Sequence, residues 1–244
     1  MQSLEIALLP VEARSIEADC YVVVDALRAT TTIATLFSRG LRDLVAVDSL
    51  ELARELANRD GRILFGEVDG HPPAGFEFGN SPVEASNARV EGRGAVLFTT
   101  NGTAALCALA ESGGAVLAGA LTNAAAIVEA IDDAESVVLV CAGNGTGTRF
   151  AMEDFLTAGE IARLARDRYP GIEIGDAARL AIAAATTGNL ERRFAQSRHG
   201  RITAARGYQA DIEYAAKTDL SDVVPAMVEY GKGWARLTPL ENGS

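Results

Sequence analysis

Asp25, Arg28, Glu67, Glu153 and Asp154 each stand at or just beyond the end of a short aliphatic run, where a buried strand meets a polar loop. The run Val22–Val24 stops on Asp25, with Arg28, Thr30, Thr31 and Thr32 close behind. "RILFG" is followed by Glu67, and "GAVLF" by Thr99-Thr100-Asn101-Gly102-Thr103. "SVVLV" leads into Gly143-Asn144-Gly145-Thr146-Gly147-Thr148-Arg149, then Glu153-Asp154. Carboxylates of this kind hold hard divalent cations through oxygen. Arginine offers a planar donor fork for phosphate or sulfonate. Hydroxyls and the free N–H groups of helix starts add further anion donors. Taken singly, each loop reads as an ordinary turn or helix cap. Four of them after four strands point to one shared site for an anion and a metal.

Spacing removes several familiar phosphate chemistries. A Walker loop needs GxxxxGK[ST], and no lysine lies in these loops. Gly143, Gly145 and Gly147 have the period GxGxG, which differs from the dinucleotide fingerprint GxGxxG. An aspartate phosphatase of the DxDxT type needs an acid two residues after Asp25, where Leu27 stands. A cysteine phosphatase needs arginine six residues after its nucleophile; from Cys141 that position is Gly147. Cys141 therefore reads as a core residue.

The elements that must carry these loops alternate strand and helix, which predicts an α/β fold with a mostly parallel, covered sheet. "SVVLVCA" is apolar throughout, as a strand buried on both faces should be. "ATTTIATLFSRG" and "SLELARELANRDG" read as helices, the second with Ser49 as N-cap and Gly61 past its end. The tail "VVPAMVEYGKGWARLTPL" reads as a return to the sheet, which would make it mixed. The chain reads as a single unit over 1–244, with two similar lobes, about 1–135 and 136–244, as a further division around a cleft.

The chain has 244 residues and a net charge of −11, from 22 basic and 33 acidic side chains. That balance argues against nucleic-acid and anionic-membrane partners, which recruit excess Lys and Arg. Three cysteines without a CxxC pair read as reduced thiols, and with no signal peptide or spanning segment visible the expected location is cytoplasmic. With only two histidines, His71 and His199, a metal would be held mainly by oxygen, which favours magnesium, manganese or calcium. The size and charge are compatible with a monomer or a homodimer.

Read together, five blocks in order resemble the 2-phosphosulfolactate phosphatases, also called ComB-like phosphatases. They are "VVVDALRATTTIATLFSRG", "FGE" with "GFEFGNSP", "TTNGT", "CAG" with "FAMEDFLTAGEIA", and "SRHGR" with Gly207, "ADIEYAAKTD" and "VVP". The resemblance implies an α/β/α fold and a Mg²⁺-dependent phosphatase. Its reaction would convert the small phosphoester 2-phosphosulfolactate into 3-sulfolactate and phosphate, within coenzyme M biosynthesis. The matched polar positions are Asp25, Arg28, Thr30, Glu67, Asn80, Thr100, Asn101, Thr103, Glu153, Asp154, His199, Arg201 and Asp211.

Within that set, Asp25, Glu67, Glu153 and Asp154 are expected to include the metal ligands. Adjacent Glu153 and Asp154 diverge by about 100° on a helix, so one of the two is favoured. Asp25, Arg28 and His199 are expected to be catalytic, with His199 read equally as proton donor to the leaving oxygen or as a helix-end histidine that contacts backbone. Thr30, Asn80 and the turn Thr100, Asn101, Gly102 and Thr103 are expected to bind substrate, with Arg149 or Arg201 on its sulfonate or carboxylate end. The nucleophile is water or Asp25 itself. Asp211 reads as a supporting carboxylate or a helix cap, His71 as incidental, and Tyr208 and Trp234 as packing residues. Ala104 stands where members commonly carry a basic residue, and the loop from Gly143 to Phe150 is longer and richer in Gly and Thr. The alternatives are a different phosphoester substrate within the same family, or an α/β protein that binds an anion without turning it over.

Overall fold

The computed structural model describes residues 1–240. Its elements run in chain order as β1 (Ser3–Ala7), α1 (Pro10–Ala13), β2 (Cys20–Val24), α2 (Ala29–Ser38), β3 (Asp43–Val47), α3 (Leu50–Asp60) and β4 (Ile63–Gly66). Then come α4 (Pro82–Asn87), β5 (Gly94–Phe98), α5 (Gly102–Ala108), β6 (Ala115–Gly119), α6 (Ala124–Ala130), β7 (Ser136–Cys141) and α7 (Met152–Arg168). The chain ends with β8 (Glu173–Ile174), α8 (Asp176–Ala185), α9 (Leu190–Gln196), α10 (Arg198–Ala205), α11 (Gln209–Ala215), β9 (Pro225–Gly231) and β10 (Trp234–Pro239). The predicted caps of α3 are present: Ser49 Oγ accepts from the Leu52 N–H at 3.4 Å, and Gly61 ends the helix at φ 64°.

One ten-stranded sheet has the order β4-β5-β3-β10-β9-β6-β2-β7-β1-β8. The pairs β4–β5, β5–β3, β6–β2, β2–β7, β7–β1 and β1–β8 are parallel. The hairpin β9–β10 is antiparallel to both of its neighbours and joins two parallel groups into one sheet. The tail therefore returns to the sheet at its middle. A division at residue 135 cuts through this sheet, because β1 and β2 both pair with β7. The cleft that matters lies above the strand ends.

Strand alternation buries both faces. Tyr21 and Val23 of β2 pack with Ile33, Leu36 and Phe37 of α2 and Leu106 of α5. Cys20, Val22 and Val24 face the other way, against Ile127 of α6, Ile161 of α7 and Ala181 of α8. In β3, Val45 and Val47 are covered by Ala53, Leu56 and Ala57 of α3. The result is the α/β/α layering expected, with β2 and β7 buried along almost their whole length. A separate apolar cluster joins Ala26 and Leu27, just past β2, to Phe194, Ile212 and Ala215. It seats α9, α10 and α11 across the carboxyl ends of the strands, where open α/β sheets bind ligands. Among the described residues, no helix is long and apolar enough to cross a membrane.

Candidate active site

Asp25 leaves β2 into a turn that its own neighbours close. The Thr30 hydroxyl donates to the Asp25 carbonyl at 3.0 Å and accepts from the Asp25 N–H at 2.9 Å. Thr31 Oγ donates to the Ala26 carbonyl and Thr32 Oγ to the Asn80 carbonyl. The three threonines thus fasten the turn and are fully buried. Thr30 is a brace for Asp25, which corrects its reading as a substrate-binding hydroxyl. Asp25 itself is 5% exposed and lines a cavity of about 220 Å³, with Oδ1 accepting from the Ala29 N–H at 3.3 Å. Burial, reinforced by the charges of Glu153 and Glu67, pushes its carboxyl up to about 7.

Gly102 opens α5 directly against this carboxylate. A Cβ there would lie 2.5 Å from Ala29 Cβ and 2.6 Å from Asp25 Oδ2. Gly102 is therefore a contact that permits close approach, and it does not line the cavity. Gly102→Ala is expected to lower stability by about 1–3 kcal/mol, as overpacking does. It should also displace Asp25 and reduce turnover; thermal melts and phosphate release measure the two effects.

The β4 and β5 ends meet through Glu67. Its Oε1 accepts from the Thr100 N–H at 2.9 Å and the Thr100 hydroxyl at 2.8 Å, and its Oε2 accepts from the Gly70 N–H at 2.6 Å. Thr103 Oγ donates to the Thr99 carbonyl and accepts from the Thr99 N–H, so it caps its own turn; this corrects its reading as a substrate contact. Asn101 lines the cavity, with its Oδ1 accepting from the Thr146 N–H at 2.9 Å. Asn80 also lines it, and its Oδ1 is buried without a hydrogen-bond partner. Ala104 lines a second hollow of about 500 Å³ beside Arg14 instead.

The first turn of α7 separates its two acids, as helical geometry requires. Asp154 is spent on backbone: Oδ1 accepts from the Ala26 N–H at 2.9 Å and Oδ2 from the Gly143 N–H at 3.0 Å. It ties the β2 loop to the β7 loop, and it does not line the cavity. Glu153 is 2% exposed and its Oε2 is buried with no partner. It lies near enough to perturb both Asp25 and His199. Burial first, then the charges of Asp25 and Glu153, raise the Asp154 carboxyl well above the usual range.

Arg28 is buried in a prepared socket. Its Nη1 donates to Asp211 Oδ2 at 2.8 Å, its Nη2 donates to the Gly70 carbonyl at 3.1 Å, and its guanidinium lies 4.3 Å above the Tyr208 ring centroid. Asp211 Oδ1 in turn accepts from Ser81 Oγ at 2.6 Å. Asp211 is the supporting carboxylate, and Tyr208 is a cavity wall stacked on Arg28 and not simple packing. Of five guanidinium donors, two are committed in this way, and Arg28 still lines the cavity.

Helix α10 presents Arg198, His199, Ile202, Thr203 and, just past its end, Arg206 to the same cavity. Arg201 is on the outer side, where it is exposed and its Nη1 donates to the Gln196 carbonyl. It does not line the cavity, whereas Arg149, Arg198 and Arg206 do. His199 Nδ1 meets Asn144 Oδ1 at 2.5 Å. Burial lowers the His199 pKa below its ordinary value, against the nearby carboxylates Glu153 and Glu67 and together with Arg28 and Arg206. A neutral ring must take a proton before it can give one.

Cys141 is buried and its thiol is pushed well up by burial, so it does not act as a nucleophile. Among the described residues, no three His, Cys, Asp or Glu side chains form a ready metal cage. Asp25 and Asn80 line the cavity, and Asn80 Oδ1 and Glu153 Oε2 are buried without partners; oxygen donors of this kind suit Mg²⁺, an ion that uses one or two carboxylates and keeps its waters.

The profile of the family described as 2-phosphosulpholactate phosphatase matches residues 8–230. The chain is 36% identical to a probable 2-phosphosulfolactate phosphatase of Thermotoga maritima over 221 residues, 90% of this chain and 91% of that protein. It is 34% identical to one of Carboxydothermus hydrogenoformans over 223 residues, 91% and 92% of the two chains. It is 37% identical to one of Deinococcus radiodurans over 218 residues, 86% and 88%. With its carboxylates and arginines gathered on one cavity and these relatives matched along nearly its whole length, the chain belongs to the 2-phosphosulpholactate phosphatase family.

Proposed function

We propose that this protein is a Mg²⁺-dependent phosphomonoesterase whose substrate is 2-phosphosulfolactate. One observation carries the reading: a single cavity is lined by Asp25, whose carboxyl the buried Glu153 perturbs, and by three arginines, Arg149, Arg198 and Arg206, that have no carboxylate partner among the described residues. The activity named for the relatives supports the substrate. That molecule bears a phosphate, a carboxylate and a sulfonate, and three free guanidinium groups offset such charge in an otherwise acidic chain.

Asp25 and Glu153 would hold the metal, with Asn80 Oδ1 as a further oxygen; Glu67 and Asp154 already give their oxygens to N–H and O–H donors. A bound Mg²⁺ supplies neutralisation of the phosphoryl oxygens and acidifies water. Arg28, held still by Asp211, Gly70 and Tyr208, binds the phosphoryl group without reorganising during reaction. Water forms the new P–O bond as the bond from phosphorus to the lactate oxygen breaks. One proton moves from that water to the departing oxygen, and His199 carries it.

The test compares phosphate release from 2-phosphosulfolactate and from phospholactate, which lacks the sulfonate. With Mg²⁺, kcat/KM should fall about tenfold or more for phospholactate, one charge-assisted contact being worth roughly 1.5–3 kcal/mol. EDTA should abolish release. Absence of Mg²⁺-stimulated release from either ester overturns the reading.

A further inference from the structure

We infer that Asn144 is a positioning residue for His199: its carbonyl oxygen holds the Nδ1 proton and leaves Nε2 as the bare ring nitrogen. The inference rests on the phosphatase reading only for its kinetic consequence. A neutral imidazole carries one proton, and a carbonyl oxygen can only accept. At 2.5 Å, Asn144 Oδ1 therefore requires the proton on Nδ1. The nitrogen left to exchange protons with a reacting group is then Nε2.

The backbone around Asn144 is built to deliver that oxygen. Its N–H donates to the Arg149 carbonyl at 2.7 Å, and its carbonyl accepts from the Thr148 and Arg149 N–H groups at 3.1 and 3.0 Å. On one side, Gly143 is fixed by Asp154 Oδ2 and sits at φ 70°, where a Cβ would lie 2.7 Å from the Arg149 carbonyl. On the other, the Thr146 N–H is latched to Asn101 Oδ1. The partner ring is equally fixed: Ser197 Oγ caps α10 by accepting from the Gly200 N–H at 2.8 Å. Two rigid elements that share no other side-chain hydrogen bond among the described residues thus meet at this one contact. Such an arrangement sets a tautomer before substrate arrives, and its ordering cost is met in folding. The Gly- and Thr-rich loop thereby acquires a chemical role, because its small, turn-forming residues allow one asparagine to be aimed.

Two measurements test the inference. With only His71 and His199 in the chain, ¹⁵N-edited imidazole spectra of the whole protein can be assigned with a His71→Gln control. Neutral His199 should be the Nδ1–H tautomer, and Asn144→Ala should shift it toward the Nε2–H form. In phosphate release, Asn144→Ala should lower kcat about tenfold or more with little change in KM, while Asn144→Asp, which keeps an acceptor, should restore most of it. A wild-type His199 carrying its proton on Nε2 overturns the inference, as does an Asn144→Ala protein with unchanged kcat. If the wild-type protein hydrolyses no phosphoester, the functional proposal fails, and the spectra still decide the tautomer.

Discussion

Asp25→Asn should abolish Mg²⁺-stimulated phosphate release and, in the same protein, flatten the pH dependence of stability. The side chain keeps its shape and the oxygen that accepts from the Ala29 N–H, but loses the charge. The folded-state carboxyl sits at about 7 against an ordinary value of 3.8. Between these values the native state holds a proton that the unfolded chain has released. Stability from this group is therefore fully present below about pH 4 and is lost as pH rises through about 7. In EDTA, denaturant melts of the wild-type protein should lose a few kcal/mol relative to Asp25→Asn between about pH 5 and pH 8. Mg²⁺ at about pH 8 should restore that loss only in the wild type, because a ligand stabilises the state that binds it. A variant that keeps turnover, or a wild-type curve parallel to the variant's, removes Asp25 from the metal site.

Arg28→Met and Asp211→Leu should each cost about 3–5 kcal/mol, the usual penalty for stranding one member of a buried ion pair. The side chains are 5% and 2% exposed, so water cannot stand in for the missing partner. Asp211→Leu also strands Ser81 Oγ, while Arg28→Met leaves the Gly70 carbonyl and the Tyr208 face unpartnered. The double variant should be markedly more stable than the sum of the singles, since neither charge is then buried alone. Turnover should be lost in all three. A double-mutant cycle by urea unfolding reads the coupling. Additive single costs would mean that Arg28 is held by packing alone. Retained turnover in Asp211→Leu would mean that Arg28 needs no anchor.

Much of this was legible along the chain. The strand–helix alternation, the caps of α3 and the double-sided burial of β2 and β7 follow from local pattern, because hydrophobic period and capping chemistry are local properties. Asp25 at a strand end, Arg28 close behind it and the Glu153–Asp154 pair could also be singled out. One further signal was present. From His199, helical spacing reaches Thr203 and Arg206 on the same face, whereas Arg201 lies about 200° around the axis. That period selects Arg206 over Arg201, as the cavity does.

Which side chains were available for phosphoryl chemistry follows from the order of residues, as does their gathering at the ends of parallel strands. Which of them were already spent follows only from the fold. Thr30 and Thr103 close their own turns, Asp154 and Glu67 hold backbone N–H groups, and Arg28 is committed in part to Asp211, 183 residues away. Glu153 and Asn80 keep bare oxygens. The physical reason is that a polar group's chemistry depends on its unsatisfied bonds. A hydrogen bond to a distant segment leaves no mark in the spacing of either partner.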